Sequence, residues 1–238
     1  MIIFRESDLS FPKSSDTQFC PTTPNLNYKE LNVIDDSENY KHNLENYKHN
    51  FRRLNKIFTI SFDELPKLND HDLQHISAIN LSLMNLSSIP ELSLDKLINL
   101  KSLNLFGNEQ LTYIPDLSSL VNLTRLDIFG LPLCESLPCL PASLTYLDCC
   151  NNNLQNLDLN GLTKLTYLDC SKNNLSEING LSELTQLTYL NCSYNNLITI
   201  CISHMNDLTQ FICYDNNIPV LPKLPVNNKL EKVLFTQK

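Results

Sequence analysis

The sequence predicts an α/β repeat solenoid: about eight short parallel strands stacked on one concave face, an extended or turn-like convex side, and a helical cap at the N-terminal end. Three observations carry this. The pattern L-x-x-L-x-L/C-x-x-N-x-L returns roughly every 21 to 24 residues from about Ile76 onward, and self-similarity at such a period marks a repeat array. Within each copy, residues two apart are apolar and those between them are mostly polar, the alternation of a short half-buried strand. Between copies the chain carries Pro, which with its preceding residue favours extended or turn-like backbone over a crossover helix.

Taken in order, residues 1–36 read as a polar arm, interrupted by Pro12, Pro21 and Pro24 and by the adjacent turn formers Ser14, Ser15 and Asp16. Residues 37–75 read as the helical cap. A tandem duplication, Glu38 to Leu44 followed by Glu45 to Phe51, spaces Tyr40, Leu44, Tyr47, Phe51 and Leu54 four and three apart, which is one apolar stripe on a helix. Asp36 or Ser37 suits its start, and Arg52, Arg53 and Lys56 suit its end. Such a helix would cover the open end of a solenoid, as terminal repeats require.

Residues 76–238 are the repeat domain. Its clearest strands are Leu144 to Cys149, Leu165 to Cys170 and Leu187 to Cys192; looser copies stand at Ile76/Ile79/Leu81, Leu100/Leu103/Leu105, Leu123/Leu126/Ile128, Leu208/Phe211/Cys213 and Leu230/Val233/Phe235. One repeat has no core of its own, so inward residues of stacked neighbours must bury one another. In the Leu165 strand, Leu168 and Cys170 point inward, and Tyr167 and Asp169 point out to solvent. An Asn follows most strands (Asn108, Asn152, Asn173, Asn195, Asn216), where its amide can satisfy backbone groups of adjacent turns. Met84 and Leu131 break that row, so the N-terminal copies are expected to be less regular.

These residues identify the pattern as resembling a leucine-rich repeat. Leu137-Pro-Cys-Leu-Pro141 and Leu221-Pro-Lys-Leu-Pro225 are similar to the linkers of short, LPX-type repeats in effectors that bacterial pathogens deliver into host cells. Ile114-Pro-Asp-Leu117 and Ile89-Pro-Glu-Leu92 are weaker versions. Leu165 to Leu175 resembles another bacterial repeat class with Cys in the strand. The resemblance implies a partner-binding solenoid. Effectors of that kind often carry a ubiquitin-ligase domain after the repeats, and this chain, ending at Lys238, is expected to lack it.

Composition narrows the function. With 26 acidic against 18 basic residues and a formal charge of -8, no basic face for nucleic acid is expected. Arg5, Glu6 and Asp8 interrupt any apolar signal core after Phe4, and no membrane span is present in the sequence. A cytoplasmic location follows, or host cytosol for an effector. Four of the nine cysteines, Cys149, Cys170, Cys192 and Cys213, replace the inward Leu and read as small buried hydrophobes in a reducing compartment. In line rather than tetrahedral, they hold no metal. His71 and His75 have no third ligand. Lys232 to Phe235 looks like a phosphatase-docking peptide and Cys213-Tyr-Asp215 like a ligase Cys-x-Asp, but Val233, Phe235 and Cys213 fall at inward positions. No Gly-rich phosphate loop, nucleophile elbow or triad is evident, so no catalytic, cofactor or metal residue is assigned, and the chain reads as a non-enzyme.

Function is therefore expected on the outward strand positions. The first outward column holds Arg125, Tyr146, Tyr167 and Tyr189; the second holds Asp127, Asp148, Asp169 and Asn191; the third holds Phe106, Phe129 and Tyr214. Aromatic residues with polar tips beside charges of one sign suit a binding hot spot, and a row of Asp adds repulsion that a strand alone does not need. The expected partner is a protein with a basic or amide-rich surface, docked on a monomer. Replacing Tyr146, Tyr167 and Tyr189 together by Ala is expected to leave melting nearly unchanged. The alternatives are an adaptor that brings a partner to a ubiquitin ligase or phosphatase, and a resident cytoplasmic scaffold.

Overall fold

Alternation of apolar and polar residues over three-residue windows makes short strands, and the repeat period lays each beside the last. The structure, a computed structural model, describes residues 2–4, 59–60, 70–89, 96–132, 135–226 and 229–236. The chain divides into two units, Ser7–Lys56 and one made of Met1–Glu6 with Ile57–Lys238; the second holds all the described residues. The duplicated heptads and the helix expected over them lie outside those residues.

Eight strands form the repeat sheet, each centred on its inward apolar residue. They are β3 (Ala78–Asn80), β4 (Ser102–Asn104), β5 (Arg125–Asp127), β6 (Tyr146–Asp148), β7 (Tyr167–Asp169), β8 (Tyr189–Asn191), β9 (Gln210–Ile212) and β10 (Lys232–Leu234). Two short strands flank them, β2 (Thr59–Ile60) beside β3 and β1 (Ile2–Phe4) beside β10. Every pairing is parallel, and Ile79, Leu103, Leu126, Leu147, Leu168, Leu190, Phe211 and Val233 face one another in register. α-Helix among the described residues is confined to α1 (Asp70–Leu73), and a 3-10 turn lies at Leu181–Glu183.

The inward columns are the core. All eight central residues and Cys149, Cys170, Cys192 and Cys213 are buried in one continuous apolar cluster; a Leu so placed contributes roughly 1.5 to 3 kcal/mol. Burial drives the Cys149 and Cys170 thiols well above their ordinary range, and a hydrogen bond with Cys213, then burial, does the same to Cys192, which suits inert core thiols. Phe235 packs against the same core and Val233 is buried within it.

Three ladders join the repeats. Each Asn after a strand reaches back: Asn173 Nδ2 donates to the carbonyls of Cys149 at 3.0 Å and Cys170 at 3.1 Å, while its Oδ1 accepts the Leu154 N–H at 3.0 Å. Asn108, Asn152, Asn195 and Asn216 repeat the arrangement. A hydroxyl ladder runs beside it, with Thr145, Thr166, Thr188 and Thr209 each donating to the preceding Thr carbonyl at 2.8 to 3.0 Å. Third, the residue before each Asn position is left-handed: Leu83, Gly107, Gly130, Asn151, Lys172, Tyr194 and Asp215, with φ between 51 and 72°. Leu131, though it breaks the Asn row, is buried, and β5 keeps its register with β4 and β6. The irregularity expected of the N-terminal copies does not reach the strands.

Candidate functional site

Parallel strands in register bring like positions to neighbouring distance, so repetition in sequence becomes stacking in space. Tyr146, Tyr167 and Tyr189 lie face to face, their ring centroids 4.2 and 4.4 Å apart and their planes within 8° of parallel. Arg125 extends the stack by one strand. Its guanidinium carbon sits 3.6 Å from the Tyr146 ring centroid, and its Nε and an Nη donate to the two oxygens of Asp127 at 2.8 Å each. This is a cation–π contact held by a two-pronged carboxylate. In the third column Phe106 and Phe129 stack at 4.1 Å, and Tyr214 meets Tyr194 edge-on at 5.0 Å. The structure thus gathers the predicted residues into two groups: the phenylalanine pair at one end, and the arginine, tyrosines and carboxylates beside it.

One expectation is corrected. Tyr167 and Asp169 point away from the core, yet they are only 8% and 2% exposed. The tyrosine rings cover one another's faces, and the acidic row lies between them and the Ser171 and Ser193 row, itself buried. What the stack leaves toward solvent is edge rather than face. The Tyr146 hydroxyl is buried without a hydrogen-bond partner, and burial raises the phenols of Tyr146 and Tyr167 above their ordinary range, with Asp148 adding to the effect on both. Burial pushes the Tyr214 phenol up to about 12.

The acidic row has a structural duty that its sequence did not disclose. One oxygen of Asp148 accepts the Cys150 N–H at 3.2 Å, and one of Asp169 accepts the Ser171 N–H at 3.0 Å and the Ser171 hydroxyl at 2.6 Å. These are Asx turns that end the strand. Asn80, Asn104 and Asn191 make the same turn with an amide oxygen. The turn therefore needs an acceptor and not a charge.

The charge has consequences. Burial, and then the neighbouring Asp169, push the Asp148 carboxyl up to about 7. Burial likewise raises Asp169 against the hydrogen bonds from Ser171 and Asn191, and it raises Asp127, where Arg125 only partly offsets it. Two carboxylates forced together in a poorly solvated place favour holding one proton. Asp148, Cys150 and Asp169 each bring a potential ligand atom within 4.8 Å of the others, the only such grouping of three among the described residues. Cys150 enters it from the third outward column, which follows the second, although that column was read only for its aromatic residues. Leu83 is the other residue missed. It stands 59% exposed beside the phenylalanine pair, in a looser copy where Met84 takes the ladder position of the Asn.

Residues 163–204 match the family model described as Leucine Rich repeats (2 copies), and the strand, turn and ladder geometry continues that unit along the described sheet. The fold is that of a leucine-rich repeat solenoid. No curated protein matches it. Among solved leucine-rich repeat structures it is similar to internalin C2 of Listeria monocytogenes, at 24% identity over 70% of this chain and 84% of that one, with a TM-score of 0.43. A leucine-rich repeat protein of Leptospira interrogans is 18% identical over 78% of this chain and 56% of that one, with a TM-score of 0.53. The domain of InlJ from Listeria monocytogenes, which includes a cysteine ladder, is 22% identical over 71% and 55%, with a TM-score of 0.37. The chain spans little more than half the length of the last two. No helix among the described residues is long and apolar enough to cross a membrane.

Proposed function

We propose that this leucine-rich repeat protein is a non-catalytic interaction module that docks a partner protein on its concave face, and that it serves as an effector of a bacterial pathogen in host cytosol. The observation that supports the docking reading is the choice of Asp over Asn at positions 148 and 169. The same turn is made by amides at Asn80, Asn104 and Asn191, so the charge of the buried carboxylates opposes stability without being needed for the turn. Destabilising groups retained on a surface are those with a use there. The aromatic rows beside them supply the contact area. The effector role rests on the Leu-Pro-x-Leu-Pro linkers of the sequence.

The test is capture of partners from a host-cell lysate by the intact chain and by steric variants. Ser102→Trp and Gln210→Trp place bulk at half-buried outward positions of β4 and β9, and Glu177→Trp places it at an exposed site off the sheet. The first two should lose a partner that the third retains. Capture indifferent to the sheet variants, or lost only with Glu177→Trp, overturns the reading.

A further inference from the structure

The sheet face carries two features that the fold does not require, and they lie next to each other. One is apolar. Leu83 holds a left-handed backbone, φ 57°, at a position that other repeats fill with Gly107, Gly130 or Asn151, and Leu is poorly suited to it. Its side chain leans over Gly107, whose missing Cβ would stand 2.5 Å from Leu83 Cδ2. Beyond lie the stacked rings of Phe106 and Phe129, with the bare backbone of Gly130 against the Phe106 ring. An exposed leucine, two glycines and two stacked rings make an apolar patch across the turns after β3 to β5.

The other is charged. On β6 and β7, Asp148 and Asp169 sit in register, near one another and the Cys150 thiol. The groups facing Asp148 are Asp127 with its own Arg125 on β5, Tyr146 on β6 and Cys150 just after it, and Tyr167 and Asp169 on β7; Lys172 acts on Asp169 from the turn after β7, and Asn191 donates to it from β8. The face has already answered such a carboxylate once. At Asp127 a guanidinium supplied from within the chain forms a two-pronged pair; Asp148, one strand along, has none among the described residues.

Resting on the docking reading above, we propose that the partner presents an extended segment with an apolar side chain on Leu83, Phe106 and Phe129 and an arginine at Asp148. Charge complementarity selects the cation, and the precedent of Arg125 selects a guanidinium over an ammonium. Spacing selects the segment. The midpoint of the phenylalanine pair and that of the carboxylate pair are two strands apart, roughly 10 Å at about 4.8 Å per strand, and three residues of extended chain span about 10 Å. The raised Asp148 carboxyl agrees with a proton held there in the free protein.

The probe is the blocked heptapeptide acetyl-Gly-Phe-Gly-Gly-Arg-Gly-Gly-amide, titrated into the full chain and followed by NMR at the leucine methyls and the aspartate carboxyl carbons. Saturable shifts should appear at Leu83 and Asp148. Affinity should rise about tenfold from pH 6 to pH 8, because an arginine stays charged throughout while the displaced proton becomes easier to lose. The same peptide with Glu for Arg should bind at least about tenfold more weakly at pH 8. Asp148→Asn should flatten the pH dependence, whereas Leu83→Asn, which suits the left-handed backbone, should weaken binding equally at both pH values. Arginine and glutamate peptides that bind alike, shifts confined to other surfaces, or no saturable shift at 20 mM peptide, a limit of about 2 kcal/mol of binding, would each overturn the proposal. If these results go against it while Ser102→Trp still loses its captured partner, the docking reading stands and only the bipartite segment falls.

Discussion

The guanidinium of Arg125 lies 3.6 Å above the ring of Tyr146, at the end of a column whose other members are tyrosines stacked on one another. Arg125 thereby ties the column to the acidic row, since the same guanidinium holds Asp127. Arg125→Leu strips the cation from a half-buried carboxylate and should cost about 1 to 3 kcal/mol. Adding Asp127→Asn should recover part of that loss, a coupling that urea unfolding of the single and double variants measures.

Because Tyr167 is stacked on both sides and nearly buried, Tyr167→Ala should cost about 2 to 4 kcal/mol. The expectation that tyrosine truncations leave the melting curve nearly unchanged is therefore withdrawn for this residue. Thermal melts of Tyr167→Ala beside Ser102→Ala, a half-buried outward position on β4, give the comparison.

Asp148 sets an unusual pH dependence. Its carboxyl binds a proton more tightly in the folded chain, at about 7, than at the ordinary 3.8. The folded state therefore holds more protons than the unfolded state between those values, and stability falls as pH rises from about 4 to about 7, then levels. Asp148→Asn keeps the turn acceptor and removes the titration, so it should raise stability by about 2 to 4 kcal/mol at pH 8 and by much less near pH 4. Chemical unfolding at the two pH values decides it; a variant less stable than the parent at pH 8 contradicts the assignment.

Asn173→Ala removes the amide's donation to the Cys149, Cys170 and Ser171 carbonyls and leaves the buried Leu154 N–H without its acceptor. A loss of about 2 to 4 kcal/mol is expected, similar to the about 2 to 5 kcal/mol for Leu168→Ala in the core. The two differ in place: amide exchange at Leu154 should quicken sharply only for Asn173→Ala.

The left-handed column predicts opposite outcomes for two changes at one residue. At Gly130, φ 72°, a Cβ would meet no atom closer than 3.8 Å, so its backbone and not its space limits replacement. Gly130→Asn should be nearly neutral, as Asn151 holds the same conformation one repeat later. Gly130→Val should cost about 1 to 3 kcal/mol, since a β-branched residue resists positive φ. Melting temperatures of the pair test this.

How far these features could be read from residues alone differs by column. Inward positions were legible because Leu168 and Cys170 obey a period of two that belongs to their own strand. Exposure was not, because Asp169 is covered by residues about one repeat away in sequence, and only the pairing register says which ones. Nor was the left-handed site. Gly107, Gly130, Asn151 and Asp215 hint at it, but Lys172 and Tyr194 adopt the same φ with nothing in their side chains to announce it. The carboxylates were recognised as surplus charge, while their service as turn acceptors waited for the geometry of the Cys150 and Ser171 amides.

The asparagine ladder has one consequence for how such a chain changes over time. Every Asn binds its own strand and the repeat before it, and every junction passes through the same left-handed residue. A stretch of one period, such as residues 152–172, is then a cassette whose two ends meet identical seams. Copying or deleting it would leave no mismatched join, so the sheet can lengthen or shorten in whole steps while the column of tyrosines and aspartates slides along with it.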